Sequence, residues 1–304
     1  MAEIHTLIGA TGQDAARSAA SKKLVKAASA ILSDEANDIG ISYSGFALTA
    51  LPHRRLPDAD PWERRGHRVH LLVEPGRLPV RGGFKLYGVP YGSRARMILL
   101  YLQTRAIQTD CREVELGRSM NEWLERMGVS VGGQTYKDIR DQSARLSACR
   151  LTFGWEDEHG RLGFEKDQIV SGGVQFLSST EQPGLWSDTV KLSELFFKEL
   201  KSHSVPLAET ALRQISSCST AIDVYIWLAY RLHSLDKPRT ITWSALAEQF
   251  GAGYSRLRDF RKRFIETLQF ACAVYPDACV QIRDEGLVLH PSRPPIRKVI
   301  GQGR

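Results

Sequence analysis

The sequence predicts an α+β fold, mostly helical, made of two tandem units of one plan behind a flexible N-terminal arm. Three observations carry this. A basic helix near the C-terminus, within GAGYSRLRDFRKRF at 251–264, keeps an apolar stripe in helical register. That helix lies between a glycine turn and a hairpin signal. The same order of elements occurs roughly 120 residues earlier in the chain.

Residues 1–60 differ from the rest. Positions 15–30 are small and polar with Arg17, Lys22, Lys23 and Lys26, and Pro52, Pro57 and Pro61 break up the stretch beyond them. Such a segment reads as a mobile arm, helical in places. The first unit is expected over 61–175. Its strand at 69–73 precedes a loop at 75–83, and its long helix, SRARMILLYLQTRAIQT at 93–109, opens at Gly92-Ser93. Next come a strand at 114–116, a helix at 119–127 and a glycine-rich turn at 128–133. The third helix, 134–149, turns Tyr136, Ile139, Ser143 and Leu146 inward, and Lys137, Arg140, Asp141, Ala144 and Arg145 outward. A hairpin closes the unit: 150–156, a turn at 157–160, then 161–165 and 168–170.

Residues 171–187 form the expected connection, and the second unit is expected over 176–295. Helix 220–235 supplies a broad apolar face from Ile222, Tyr225, Ile226, Leu228, Ala229 and Leu232. ITWSALAEQF at 241–250 reads as a short amphipathic helix capped at Thr242 or Ser244. Gly251 and Gly253 then make the turn. In the basic helix, 256–268, Leu257, Phe260, Phe264 and Leu268 share the inner face. Arg258, Asp259, Lys262 and Glu266 point away, Arg256 and Arg263 lie on the shoulder, and Arg261 sits toward the apolar edge. Strands at 279–283 and 287–289 flank Asp284-Glu285-Gly286 as a hairpin. A basic tail, 296–304, ends the chain. Helix, glycine turn, basic helix and hairpin is helix-turn-helix with a wing, so the plan is two tandem winged-helix domains.

A net charge of +7 over 304 residues favours an anionic partner, and the placing of the basic helix narrows it to double-stranded DNA. From that helix Arg256, Arg258, Lys262 and Arg263 are expected to reach base edges or phosphates, with Ser255 and Tyr254 placed for phosphate at its start. In the first unit Lys137, Arg140 and Arg145 are the candidates, with Ser93, Arg94 and Arg96 as backbone contacts. Two such modules span adjacent grooves, a site of about two helical turns.

Other chemistry lacks support. The five cysteines are widely spaced and form no C-x-x-C pair, so neither a metal site nor a disulfide framework is expected. His67 and His70 are three apart on a strand and face opposite sides, which argues against the metal site of a nickase. Tyr225 and Tyr230 read as core, as do Trp123, Trp155, Trp186, Trp227 and Trp243. No G-x-x-x-x-G-K-[ST] occurs. No catalytic residue and no cofactor are therefore expected. Without a signal-peptide pattern or an apolar run of about 20 residues, the expectation is a cytoplasmic protein with no membrane partner.

Several short motifs stand in a telling order: GVPYGS at 88–93, ELGRSM at 115–120, YIWLAY at 225–230 with Leu232, and Ile241-Thr242-Trp243 followed by Phe250-Gly251. From about Val69 to Pro295 the chain resembles the plasmid-encoded RepA replication initiators of alphaproteobacterial-type plasmids. The resemblance implies a replication initiator with two winged-helix domains that binds repeated sites at a plasmid origin. It also implies origin opening, recruitment of host replication proteins and repression of the initiator's own promoter. Homodimerisation is left open, since this plan also serves dimer contacts. A winged-helix transcriptional regulator without a replication role shares every feature read from the residues themselves.

Overall fold

The computed structural model describes residues 21–66, 69–156, 159, 161–173 and 189–296, together with residues 4, 5 and 8. Most of residues 1–20, His67, most of the turn at 157–160, most of the connection at 171–187, Trp186 and the tail beyond 296 lie outside the described residues. Ten helices and fourteen strands among the described residues make a mixed α+β fold.

The chain begins with α1 (Lys22–Leu32), β1 (Ile39–Tyr43) and the short α2 (Gly45–Leu48). These residues are not a mobile arm. Strand β1 pairs antiparallel with Ser204–Ala208, and Val25, Ala28, Phe46 and Leu51 are buried. The apolar positions of 22–51 find their partner surface far away in sequence, which local composition does not reveal.

Strands β2 (Trp62–Gly66), β3 (Val69–Glu74), β4 (Gly76–Val80) and β5 (Gly83–Tyr87) come next. The loop expected at 75–83 is instead a hairpin, β4 against β5. Arg81 and Gly82 close it, and Gly82 takes φ +90, a conformation glycine adopts without steric cost. After them stand α3 (Gly92–Thr109), β6 (Glu113–Glu115), α4 (Met120–Arg126) and α5 (Gly133–Ala148), close to their predicted limits. Ser119 caps α4, its Oγ accepting the Glu122 N–H at 3.2 Å.

The hairpin of β7 (Arg150–Glu156) and β8 (Leu162–Asp167) does not close the first unit as expected. It extends β2 and β3 into a sheet of order β2-β3-β7-β8. Trp155, expected in the core, is 40% exposed on it. Strand β6 belongs instead with β9 (Val170–Gly173) and β10 (Thr189–Leu192), in the order β6-β10-β9. A boundary between 175 and 176 would therefore cut a paired sheet. Alternation marks a hairpin, but it does not say which strand accepts the hairpin's edge.

The remaining elements are α6 (Glu194–Ser202), β11 (Ser204–Ala208), α7 (Glu209–Ile215), α8 (Ser219–Leu232), β12 (Arg239–Thr242), α9 (Trp243–Phe250), α10 (Leu257–Ala273), β13 (Val280–Ile282) and β14 (Gly286–Leu289). Their sheet has the order β12-β14-β13, so in both three-stranded sheets the first strand pairs with the last. Ile241 sits in β12 opposite Leu287 rather than in a helix. Thr242 then caps α9, its Oγ1 accepting the Ala245 N–H at 3.3 Å.

One hydrophobic core runs from Ala27 to Leu289, with α8 at its centre. Helix α8 packs against α10, α3 and α2, burying Tyr225 and Trp227 almost completely. Between α3 and α8 lies a buried ion pair. Arg96 donates from Nε to Asp223 Oδ1 at 2.6 Å and from Nη2 to Oδ2 at 2.7 Å. Its remaining donors reach the carbonyls of Leu51 (2.7 Å), Gly92 (2.8 Å) and Pro52 (3.3 Å). Beside it, His53 Nδ1 lies 3.0 Å from Ser219 Oγ. Burial pushes the His53 pKa down to about 4; Asp223 opposes the shift, while Arg96, Arg64 and Arg54 add to it.

Arg96→Met should cost about 3–5 kcal/mol in urea unfolding, because Asp223 is left buried and unpaired. The double variant Arg96→Met/Asp223→Leu should recover most of that loss, and equal losses in single and double variants would refute the pairing argument. His53 is neutral in the fold, whereas the unfolded chain takes up a proton near the ordinary value of 6.5. Its contribution is thus present above pH 6.5 and lost as pH falls toward 4, by up to about 1.4 kcal/mol per pH unit. Chemical denaturation across that window should show a shallower pH slope for His53→Gln than for wild type.

Candidate nucleic-acid interface

Helix α10 is held by its inner face. Phe260 and Phe264 lie 5.1 Å apart between centroids, and Phe264 meets Phe250 at 5.3 Å and Trp243 at 6.4 Å. This aromatic packing fixes which face turns outward. Leu257, expected on the inner face, opens the helix and is 49% exposed. Before it, the Tyr254 N–H donates to the Gly251 carbonyl, Gly253 takes φ +87, and Arg256 occupies the N-cap position. Tyr254 is half-exposed with its ring edge on Phe260, and Ser255 is exposed.

The cations of α10 fall into two groups. Arg256, Arg258, Lys262 and Arg263 are all exposed. Arg263 reaches Glu266 at 3.1 Å and Arg258 stands 3.8 Å from Asp259, both surface pairs worth little. Arg256 and Lys262 have no ion pair among the described residues. Arg261 differs: its guanidinium lies 5.0 Å over the Trp243 ring and meets Asp284 at 3.2 Å. It ties α10 to α9 and to the tip between β13 and β14.

In the first unit the expected set divides. Lys137 and Arg140 are exposed on α5, and Ser93 and Arg94 are half-buried at the start of α3. Arg145 and Arg96 are not available to any ligand. Arg145 is 2% exposed, donating from Nε to Asp141 at 2.8 Å and pairing through Nη2 with Asp58 at 2.9 Å. Its guanidinium also lies 5.3 Å over the Tyr91 ring. The residues around Asp58, expected in the arm, cover this part of α5, so an outward position by helical spacing becomes an inward one. Arg96 is consumed by Asp223 in the same way.

Sequence reasoning missed three cations on the β4–β5 hairpin, Arg77, Arg81 and Lys85, all exposed. The signal was present: two runs with strand character, RLPV and FKLY, on either side of Arg81-Gly82-Gly83. His70 lies in β3, and no group of three or more His, Cys, Asp or Glu placed to hold a metal occurs among the described residues. No helix among them is long and apolar enough to cross a membrane.

Comparison with known proteins decides the family. Plasmid-encoded RepA protein matches residues 89–245, more than half of the chain. The chain belongs to the plasmid-encoded RepA family. Membership places it among replication initiators, proteins that act on DNA. No curated protein matches it. Among solved structures, a selenomethionine crystal structure of domains 2 and 3 of RctB is similar at 15% identity and a TM-score of 0.52. That likeness covers 84% of this chain and 99% of the RctB chain, and it shows a shared fold. A second structure of RctB domains 2–3 aligns over 81% of this chain and 94% of its own, at 14% identity and a TM-score of 0.47. The RepA match runs from just before α3 into α9, so it includes Arg96, Arg145 and Asp223 but ends before α10.

Proposed function

We propose that this RepA-family protein initiates plasmid replication by binding repeated double-stranded sites at the origin through two winged-helix units. The observation that carries the reading is the outer face of α10, where Arg256, Arg258, Lys262 and Arg263 are exposed while aromatic packing holds the opposite face. The matching strand orders β6-β10-β9 and β12-β14-β13 support two units of one plan. Helix α10 enters the major groove, where an arginine can bridge guanine O6 and N7 for roughly 1–3 kcal/mol of discrimination. Helix α5 makes the second, weaker approach through Lys137 and Arg140, with Arg94 and Ser93 nearby on α3. Binding energy then opens an A·T-rich neighbour, since bending and unwinding cost only a few kcal/mol. Host replication proteins join at the opened origin, and occupancy of the same repeats near the gene's promoter represses it.

Arg258→Ala and Lys262→Ala should each weaken binding to the repeats upstream of the gene and lower the salt slope by about 0.9 in anisotropy titrations. Unchanged slopes in both would leave α10 merely solvated. A plasmid carrying those repeats should replicate only when the protein is supplied in trans. Tight binding without replication would instead identify a transcriptional regulator.

A further inference from the structure

Residues 75–92, PGRLPVRGGFKLYGVPYG, contain three cations and no acid. The β4–β5 hairpin within them stands against α5. At its base, a Cβ on Gly76 would come within 1.8 Å of the Ala148 carbonyl oxygen, so the hairpin touches the last turn of the helix. A groove of about 520 Å³ lies between the two. Arg77 and Lys85 line one wall and Arg140 the other, with Ser143, Ser147 and Ser171 between them. Among the described residues Asp141 is the one acid lining the groove, and its Oδ2 already accepts from Arg145 at 2.8 Å and Gln142 at 2.9 Å. Ser143 is 6% exposed, and its Oγ has no hydrogen-bond partner. Arg77 and Arg81 make no ion pair among the described residues, and Lys85 only rests 5.1 Å over the Tyr87 ring.

We propose that the β4–β5 hairpin is a further DNA-contacting element, and that this groove holds a sugar–phosphate strand between Arg77, Lys85 and Arg140. The inference rests on the reading of the exposed α5 face as DNA-facing. The charge is drawn out as a line. Lys137 continues it along α5 beyond Arg140, and Arg81 carries it to the hairpin apex. A polymer with repeating charge satisfies such a line, whereas a small anion engages one end of it. Because these contacts read no base edge, they add affinity without sequence preference.

The test is anisotropy of the full-length chain with a mixed-sequence duplex of about 30 base pairs over a salt series. Arg77→Ala/Lys85→Ala should reduce the slope by about 1.8, twice the single-phosphate value, and weaken binding to every sequence alike. Should that variant melt early by circular dichroism, Arg77→Gln/Lys85→Gln carries the same test. A wild-type slope in the hairpin variant, with a reduced slope in Lys137→Ala or Arg258→Ala, overturns the hairpin inference and leaves the proposed function standing. Wild-type slopes in all of them overturn the DNA reading itself. Loss of inorganic pyrophosphate binding with an unchanged DNA slope would make the groove a small-anion site and also overturn the proposal.

Discussion

One buried ion pair ties α3, α8 and the segment at 51–52 together. Arg96 on α3 has five N–H donors, and all five are accounted for: two by Asp223 on α8 and three by the carbonyls of Leu51, Pro52 and Gly92. Taking both charges out of water costs several kcal/mol, and only complete satisfaction of this kind offsets it. The pair spans the first long helix of each unit, and it draws in the segment that leads from the N-terminal residues. Helices α3 and α8 and the residues at 51–52 are thereby held in one arrangement.

The same accounting separates structural arginines from exposed ones. Arg96 and Arg145 are buried and matched by carboxylates. Arg261 is spent on Trp243 and Asp284. The cations left outward on α10 and α5 are only weakly paired or unpaired. A cation already engaged by an internal acid gains little from a phosphate, because it must first surrender a partner of equal charge. Counting basic residues along a helix therefore overstates an interface, and subtracting those with buried partners defines it.

Much of the fold was legible in the sequence. The periodicity of α3, α8 and α10, the cap at Thr242, and the β7–β8 and β13–β14 hairpins all depend on residues within a few positions of one another. Apart from the missed β4–β5 hairpin, the main errors have a different origin. That β1 would pair with β11, that β6 would choose β10, and that Asp58 would reach Arg145 are long-range choices. Spacing carries no information about them. Helical projection puts Arg145 on the outer face, correctly for an isolated helix and wrongly for one covered by the Asp58 segment. Arg96 misleads for the same reason, since its position near a helix start suggests a phosphate contact until Asp223 is seen across from it.

The family match takes in one set of exposed cations and leaves out another. Residues 89–245 contain both ends of the Arg96–Asp223 pair and the whole of α5, yet neither the β4–β5 hairpin nor α10. The exposed groups of α10, Arg256, Arg258 and Lys262, make no contact that the core requires. Changing them alters what the surface attracts without disturbing the aromatic face beneath. Changing Arg96 or Asp223 does the reverse, leaving the surface groups intact and releasing their relative placement. The exposed cations of α10 can therefore vary without disturbing the scaffold, because they are only weakly paired or unpaired inside the protein, whereas the donors of Arg96 are satisfied completely.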